Sequence, residues 1–132
     1  MMINISPDFE KAKSIKLMIE DRETFLREIN LERFSTIAAE NYYEIIKELA
    51  TAIILTDGLK SIGENAHKDL IDYLINYNIL HEEEIFLIHD LRIKRNLSSY
   101  EGKQINKDFL TLKKERFTNI INKLKEFLDK RL

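Results

Sequence analysis

The chain has 132 residues and a formal net charge of −2 at pH 7, is 33% charged and 44% hydrophobic, and contains no cysteine, three glycines and one proline. That length suits one domain, residues 1–132, with a core that needs no covalent staples. The lack of cysteine excludes disulfides, thiolate metal sites and a cysteine nucleophile. With no basic-then-apolar leader at the amino terminus, it also points to the cytoplasm.

No run approaches the roughly 18 apolar residues of a membrane span. So few turn formers imply long helices joined by short connections: an all-α fold, a single up-and-down bundle of about five helices. The small net charge hides an asymmetry, since residues 1–91 carry 9 basic against 18 acidic groups and residues 92–132 carry 12 against 5. Either the two halves neutralise one another within the bundle or across a dimer, or the basic part faces a polyanion locally.

Ser6-Pro7-Asp8 reads as a helix start, with a cap, a proline at the first helical position and an acid in the first turn. Phe9, Ala12, Ile15, Ile19, Leu26 and Ile29 then recur at helical steps, and Leu17, Met18 and Phe25 widen the apolar face of a helix over 7–28. A second helix starts within 31–36 and runs to about 58. Its Ile37–Leu55 core is the most hydrophobic part of the chain, with an arc wide enough for two or three neighbours, which places it centrally. Asp57-Gly58 and Gly63 mark its exit.

A third helix spans about 64–77. The fourth begins near His81, with Glu82, Glu83 and Glu84 against the positive end of its dipole. It buries Ile85, Phe86, Ile88, Leu91 and Leu97, and ends between 97 and 100. Asn106 caps a fifth helix over 107–130, whose inner face runs from Phe109, Leu110 and Leu112 through Phe117, Ile120, Ile121 and Leu124 to Phe127 and Leu128. No alternating strand pattern competes with these helices.

The stretch Leu91–Lys103 holds the chemistry. Arg92, Lys94 and Arg95 bring three positive charges near a helix end, and Asn96, Ser98, Ser99 and Tyr100 add hydrogen-bonding groups. Such an end binds an anion, typically a phosphate. It reads equally as a capped, solvated terminus where cations are favourable. Glu40, Asn41 and Glu44 interrupt the second helix's apolar run and are candidates for an inter-helix polar network with Arg92 or Arg95, or for simple exposure.

His67 and Asp69 do not share a face, and His67 is either a surface residue or a polar lining beside the Gly58–Gly63 loop. His81 and His89 lie too far apart to share a metal and lack further ligands. No glycine-rich phosphate loop, serine–histidine–acid spacing or zinc finger is present, so no cofactor and no metal are expected.

Asp90-Leu91-Arg92-Ile93-Lys94-Arg95-Asn96-Leu97-Ser98-Ser99-Tyr100-Glu101-Gly102 resembles the fourth-helix signature of the HEPN superfamily, the higher-eukaryote and prokaryote nucleotide-binding domains. Its active members carry an arginine, often followed by asparagine or another polar residue, and then a histidine after four to six intervening positions. Here Arg95 and Asn96 match, and Tyr100 stands where the histidine falls in the shortest form. Asn41-Tyr42-Tyr43, Asp57–Ser61 and His67-Lys68 extend the likeness to small archaeal and bacterial members.

The resemblance implies an all-helical homodimer whose fourth helices meet in a composite cleft. Active members are metal-independent ribonucleases, often toxins of toxin–antitoxin pairs. Others bind nucleotides or accompany a separately encoded nucleotidyltransferase. Carried over, Arg95 is the phosphate contact, Asn96 its positioning partner, Arg92, Ser99 and Tyr100 further RNA or nucleotide contacts, and Glu40 or Glu44 a brace.

Tyr100 departs from the family pattern. A tyrosine hydroxyl, with a reference pKa near 10 against about 6.5 for histidine, is a poor proton shuttle at neutral pH. It still donates hydrogen bonds and stacks on bases. Three functions follow. The favoured one is a non-catalytic nucleotide- or RNA-binding partner domain. The second is a ribonuclease with Arg95 and Tyr100, or a histidine returned by the fold, as catalytic residues. The third is a structural dimerisation module.

Overall fold

The apolar stretch of the second helix forms α2 (Ser35–Thr56), on which the other four helices pack. The computed structural model describes residues 1–132. Tyr43, Ile45, Ile46, Leu49 and Ile53 of α2 are fully buried, each large aliphatic contributing about 1.5–3 kcal/mol. Ala38, Ala39, Ala50 and Ala52 are buried too and let neighbouring helices approach closely.

The remaining helices are α1 (Phe9–Glu28), α3 (Ala66–Tyr73), α4 (Glu82–Glu101) and α5 (Lys107–Arg131). The all-α, five-helix expectation therefore holds. No helix is long and apolar enough to cross a membrane.

One element went unforeseen. Strands β1 (Met2–Asn4) and β2 (Leu59–Ser61) pair antiparallel, with Met2 opposite Ser61 and Asn4 opposite Leu59. Three-residue strands are too short to show alternation. Beyond β1 the chain stays pinned to the end of α2, because the Ile5 amide donates to Gly58 O (2.8 Å) and the Asp8 amide to Leu55 O (3.0 Å). That anchoring keeps Ser6 and Pro7 outside the helix. The cap of α1 is Asp8, whose carboxylate accepts from the Lys11 amide at 2.9 Å.

Other boundaries shift for local reasons. After Tyr73 the third helix tightens into a 3₁₀ turn, Leu74–Tyr77, and stops at Asn78 in a left-handed conformation (φ 54°). Helix α4 runs through Ser98, Ser99 and Tyr100, past the expected 97–100 stop. It ends only where Gly102 adopts φ 67° and the Gly102 and Lys103 amides bond the Ser98 and Leu97 carbonyls. Glycine takes that turn without steric cost. The Asn106 cap of α5 is present, its side chain accepting from the Asp108 amide at 2.8 Å.

Three expected core faces are narrower than the sequence suggests. On α1 only Ala12, Ile19 and Leu26 are buried, and Leu17, Met18 and Phe25 are exposed. On α4 Leu87 turns inward in place of Phe86, which is 76% exposed, and Leu97 is also exposed. On α5 Leu112 faces out.

The charge asymmetry resolves in part inside the bundle. Basic residues of α5 pair with acids of the front half: Lys123 with Glu84 (2.8 Å), Lys125 with Glu23 (2.9 Å) and Arg131 with Asp57 (2.7 Å). Glu84 also accepts from the His81 amide at 2.9 Å, closing the first turn of α4. Burial opposes ionisation of Glu84, yet the bonds from Lys123 and the His81 amide outweigh it and hold its carboxyl below the usual range.

Replacing Glu84 by alanine should cost about 1–2 kcal/mol of unfolding free energy at neutral pH. Because the folded pKa is depressed, that stabilisation is present above the ordinary carboxylate pKa and lost as pH falls through the folded value. Urea titrations of both proteins should therefore converge in acid. A constant difference across pH would contradict the assignment.

Candidate functional site

Helical geometry divides the polar residues of α4 between two neighbours. Arg92, Asn96 and Tyr100, at four-residue steps, share one face. They line an open cleft of about 290 Å3 whose other wall is the Gly63–Lys68 segment entering α3. Arg92 Nε donates to His89 Nδ1 (3.3 Å), His89 Nε2 meets Asp72 Oδ1 (2.6 Å), and Lys68 Nζ reaches Asp72 Oδ2 (2.8 Å).

In this relay His89 Nδ1 accepts from Arg92, which leaves Nε2 as the atom that donates to Asp72. Burial opposes the Asp72 charge, but the hydrogen bonds from Lys68 and His89 prevail and hold its carboxyl below the usual range. The relay fixes the Arg92 stem against α3 and leaves the terminal nitrogens of its guanidinium without a protein acceptor.

The opposite wall adds donors. α3 begins at Ala66 with no side-chain cap, and the His67 and Lys68 amides of its first turn have no backbone acceptor. Unsatisfied first-turn amides attract anions, and Arg92 faces the same space. His67, the lining residue foreseen beside the glycine loop, is held below its ordinary imidazole pKa by burial first and then by the nearby charges of Lys47, Arg95 and Arg92. It is therefore neutral at pH 7. Tyr100 is 79% exposed, so its ring is open to stacking. Glu64 is the one carboxylate on the lining.

Arg95, the expected phosphate contact, does not line this cleft. It turns toward α2, where its Nη2 meets Glu44 Oε1 at 3.2 Å and its guanidinium lies 5.7 Å from the Tyr43 ring. Its only link to the cleft is a long 3.5 Å bond from Nη1 to Asn96 Oδ1. Arg95 directly precedes Asn96, about 100° round the helix from it, which turns Arg95 to the α2 side. Lys94 points the other way, to Asp90 (3.0 Å) and over the Phe109 ring (4.5 Å). Ser99 is exposed beside the cleft and does not line it.

Among the expected braces only Glu44 serves, held also by Lys47 at 2.6 Å. Asn41 faces α1 instead, accepting from Arg22 (3.4 Å) and donating to Ile37 O (3.0 Å). Glu40 is half-buried on the same helix, but the Arg95 fork reaches Glu44.

Tyr43, part of the Asn41-Tyr42-Tyr43 likeness, sits behind the site. Its ring centre is 6.4 Å from that of His67, and its hydroxyl is fully buried with no hydrogen-bond partner. Burial pushes that hydroxyl up to about 12 despite the opposing pull of Arg92 and Arg95. It carries no negative charge at physiological pH.

The cleft thus offers cationic and neutral donors, one neutral imidazole and one open aromatic face. Comparison with family models, with curated proteins and with solved structures finds no match to this chain.

Proposed function

We propose that the α3–α4 cleft binds single-stranded RNA or a nucleotide through its phosphate, and that the chain acts as a homodimer of the HEPN type. The observation that carries this reading is the convergence of Arg92, the free first-turn amides of α3, Asn96 and the exposed Tyr100 ring on one open space. Donors for a phosphate beside a ring for a base are the two halves of single-strand recognition. Arg95 and Glu44, paired behind Asn96, support that wall from within.

A second reading, metal-independent RNA cleavage, is favoured by one feature. His67 reaches the cleft from α3 as a neutral imidazole able to accept a proton from a ribose hydroxyl. Acid–base cleavage needs a proton donor for the leaving oxygen as well. Tyr100, at the position of the family histidine, is poorly suited to that role near neutrality. Binding without turnover is the better-supported reading.

Fluorescence anisotropy with a labelled single-stranded oligoribonucleotide separates the two, with its length checked on a denaturing gel. Saturable binding to intact RNA is the expected result. Shortened RNA whose appearance is abolished by His67→Ala establishes the second reading, and no binding even at low salt refutes both.

The dimer rests on a separate feature. Phe86, Ile93, Leu97 and Tyr100 follow one another on α4 at steps of seven, four and three, and all four are exposed. That spacing is a coiled-coil-like apolar seam with no partner in the monomer. Tyr100 belongs both to the seam and to the cleft, so a two-fold contact along α4 would bring two clefts onto one surface. An Ile93→Glu variant is expected to sediment as a monomer with unchanged helical signal, whereas the parent sediments as a dimer. A monomeric parent would remove the dimer from the account.

A further inference from the structure

A second cavity, of about 320 Å3, lies between the β1–β2 ribbon, α2 and α3, and shares Ala66 and His67 with the cleft. Its existence follows from the ribbon. Pinning Ile5 and Asp8 to the end of α2 lays the amino-terminal segment along α2, and the short α3 closes the other side. Ile54, Leu59 and Leu70 make its lining apolar, and Lys11, Lys47 and Lys60 also line it.

Most of the other polar groups are already committed. Asp8 caps α1, Lys47 is held by Glu44 at 2.6 Å, the Thr51 hydroxyl donates to Lys47 O (2.9 Å), and the Ser61 hydroxyl donates to Ala66 O (2.6 Å). Lys11 and Lys60 enter no ion pair. The groups left for an occupant are therefore two ammoniums, the His67 ring and the second oxygen of Asp8, a net positive set. That set favours a negative head over a hydroxylated neutral molecule, and the apolar lining favours a hydrophobic body. The volume is near the lower end of ligand pockets, about 300–1,000 Å3, which suits one ring rather than a long chain.

We infer that this cavity is a binding site for a small organic carboxylate with a ring-sized apolar body, its head between Lys11 and Lys60. The site is independent of the RNA reading, because Arg92 does not line it. A ligand there would touch His67 from behind and so couple to the cleft.

The test is an amide chemical-shift titration of the full chain. Phenylacetate is the probe, phenylethanol the uncharged counterpart, and inorganic phosphate the anion without an apolar body. Phenylacetate should give saturable shifts at Leu59–Ser61 and Ala66–Leu70, binding at least about tenfold more tightly than either control. The double variant Lys11→Met/Lys60→Met should weaken it by about tenfold or more, Thr51→Trp should abolish it by filling the cavity, and Arg92→Ala should leave it unchanged.

Absence of saturable shifts overturns the proposal. So does equal binding of phenylethanol or phosphate, full affinity in the lysine double variant, or loss of binding in Arg92→Ala. The lysine pair decides the outcome even if Thr51→Trp fails to fold.

Discussion

A Gly58→Ala variant is expected to lose about 2–5 kcal/mol of unfolding free energy, a large share of what a domain of this size has. Two costs combine. Gly58 has φ 69°, the left-handed region where a side chain is strained, and an added Cβ would stand 2.6 Å from Ile5 O and 3.1 Å from the Pro7 ring. The clash is with backbone, and Ile5 cannot retreat without breaking its 2.8 Å bond to Gly58 O. That bond also holds the ribbon and one wall of the second cavity.

Gly63 and Gly102 supply the control. Both have positive φ, but nothing lies within 4 Å of an added Cβ, so alanine there should cost only about 1–2 kcal/mol. Urea unfolding followed by far-ultraviolet circular dichroism measures all three. A Gly58→Ala loss no larger than that of Gly63→Ala would mean that the amino-terminal segment is not anchored at the end of α2.

Arg92→Ala is expected to weaken RNA binding by about ten- to a hundredfold, the worth of one or two charge-assisted hydrogen bonds to phosphate. The plot of log affinity against log salt should become shallower by about 0.7, the change for one lost contact on a single strand. Folding should survive, because the His89–Asp72–Lys68 portion of the relay does not need Arg92.

The contrast is with Arg95→Ala. Removing Arg95 takes a partner from Glu44, which keeps Lys47. Its main effect should be a lower melting temperature, with a smaller change in affinity than Arg92→Ala. Lys113→Ala and Arg116→Ala on α5, remote from the cleft lining, should bind as the parent does. Equal losses in all four variants would point to diffuse electrostatic attraction in place of a site.

The central helix was legible because Ile45, Ile46, Leu49 and Ile53 leave α2 no alternative to burial, and Asn106 announced α5 by its capping chemistry. Periodicity also identified the apolar faces of α4 and α5. It does not separate residues that face the core from residues that face out, which is why Phe86, Leu97 and Leu112 read as buried in the sequence yet are exposed. On α4 the buried set (Ile85, Leu87, Ile88, Leu91) and the exposed set (Phe86, Ile93, Leu97, Tyr100) occupy different sides of one helix.

The site shows the same division between local and distant information. Arg92, Asn96 and Tyr100 share a face by spacing alone, and the turn that carries Arg95 away from them is equally a matter of spacing. His67, the free amides of α3 and the Asp72 relay arrive from another helix, and β1 finds β2 across more than fifty residues. Those pairings depend on tertiary packing.

The most direct test of the central claim is an amide chemical-shift titration of the parent protein with a short single-stranded oligoribonucleotide at low salt. Shifts should concentrate on Gly63–Lys68 and on Arg92, Asn96 and Tyr100, with the RNA recovered intact. Shifts confined to the basic surface of α5 around Lys113 and Arg116, or none at saturating RNA, would contradict it.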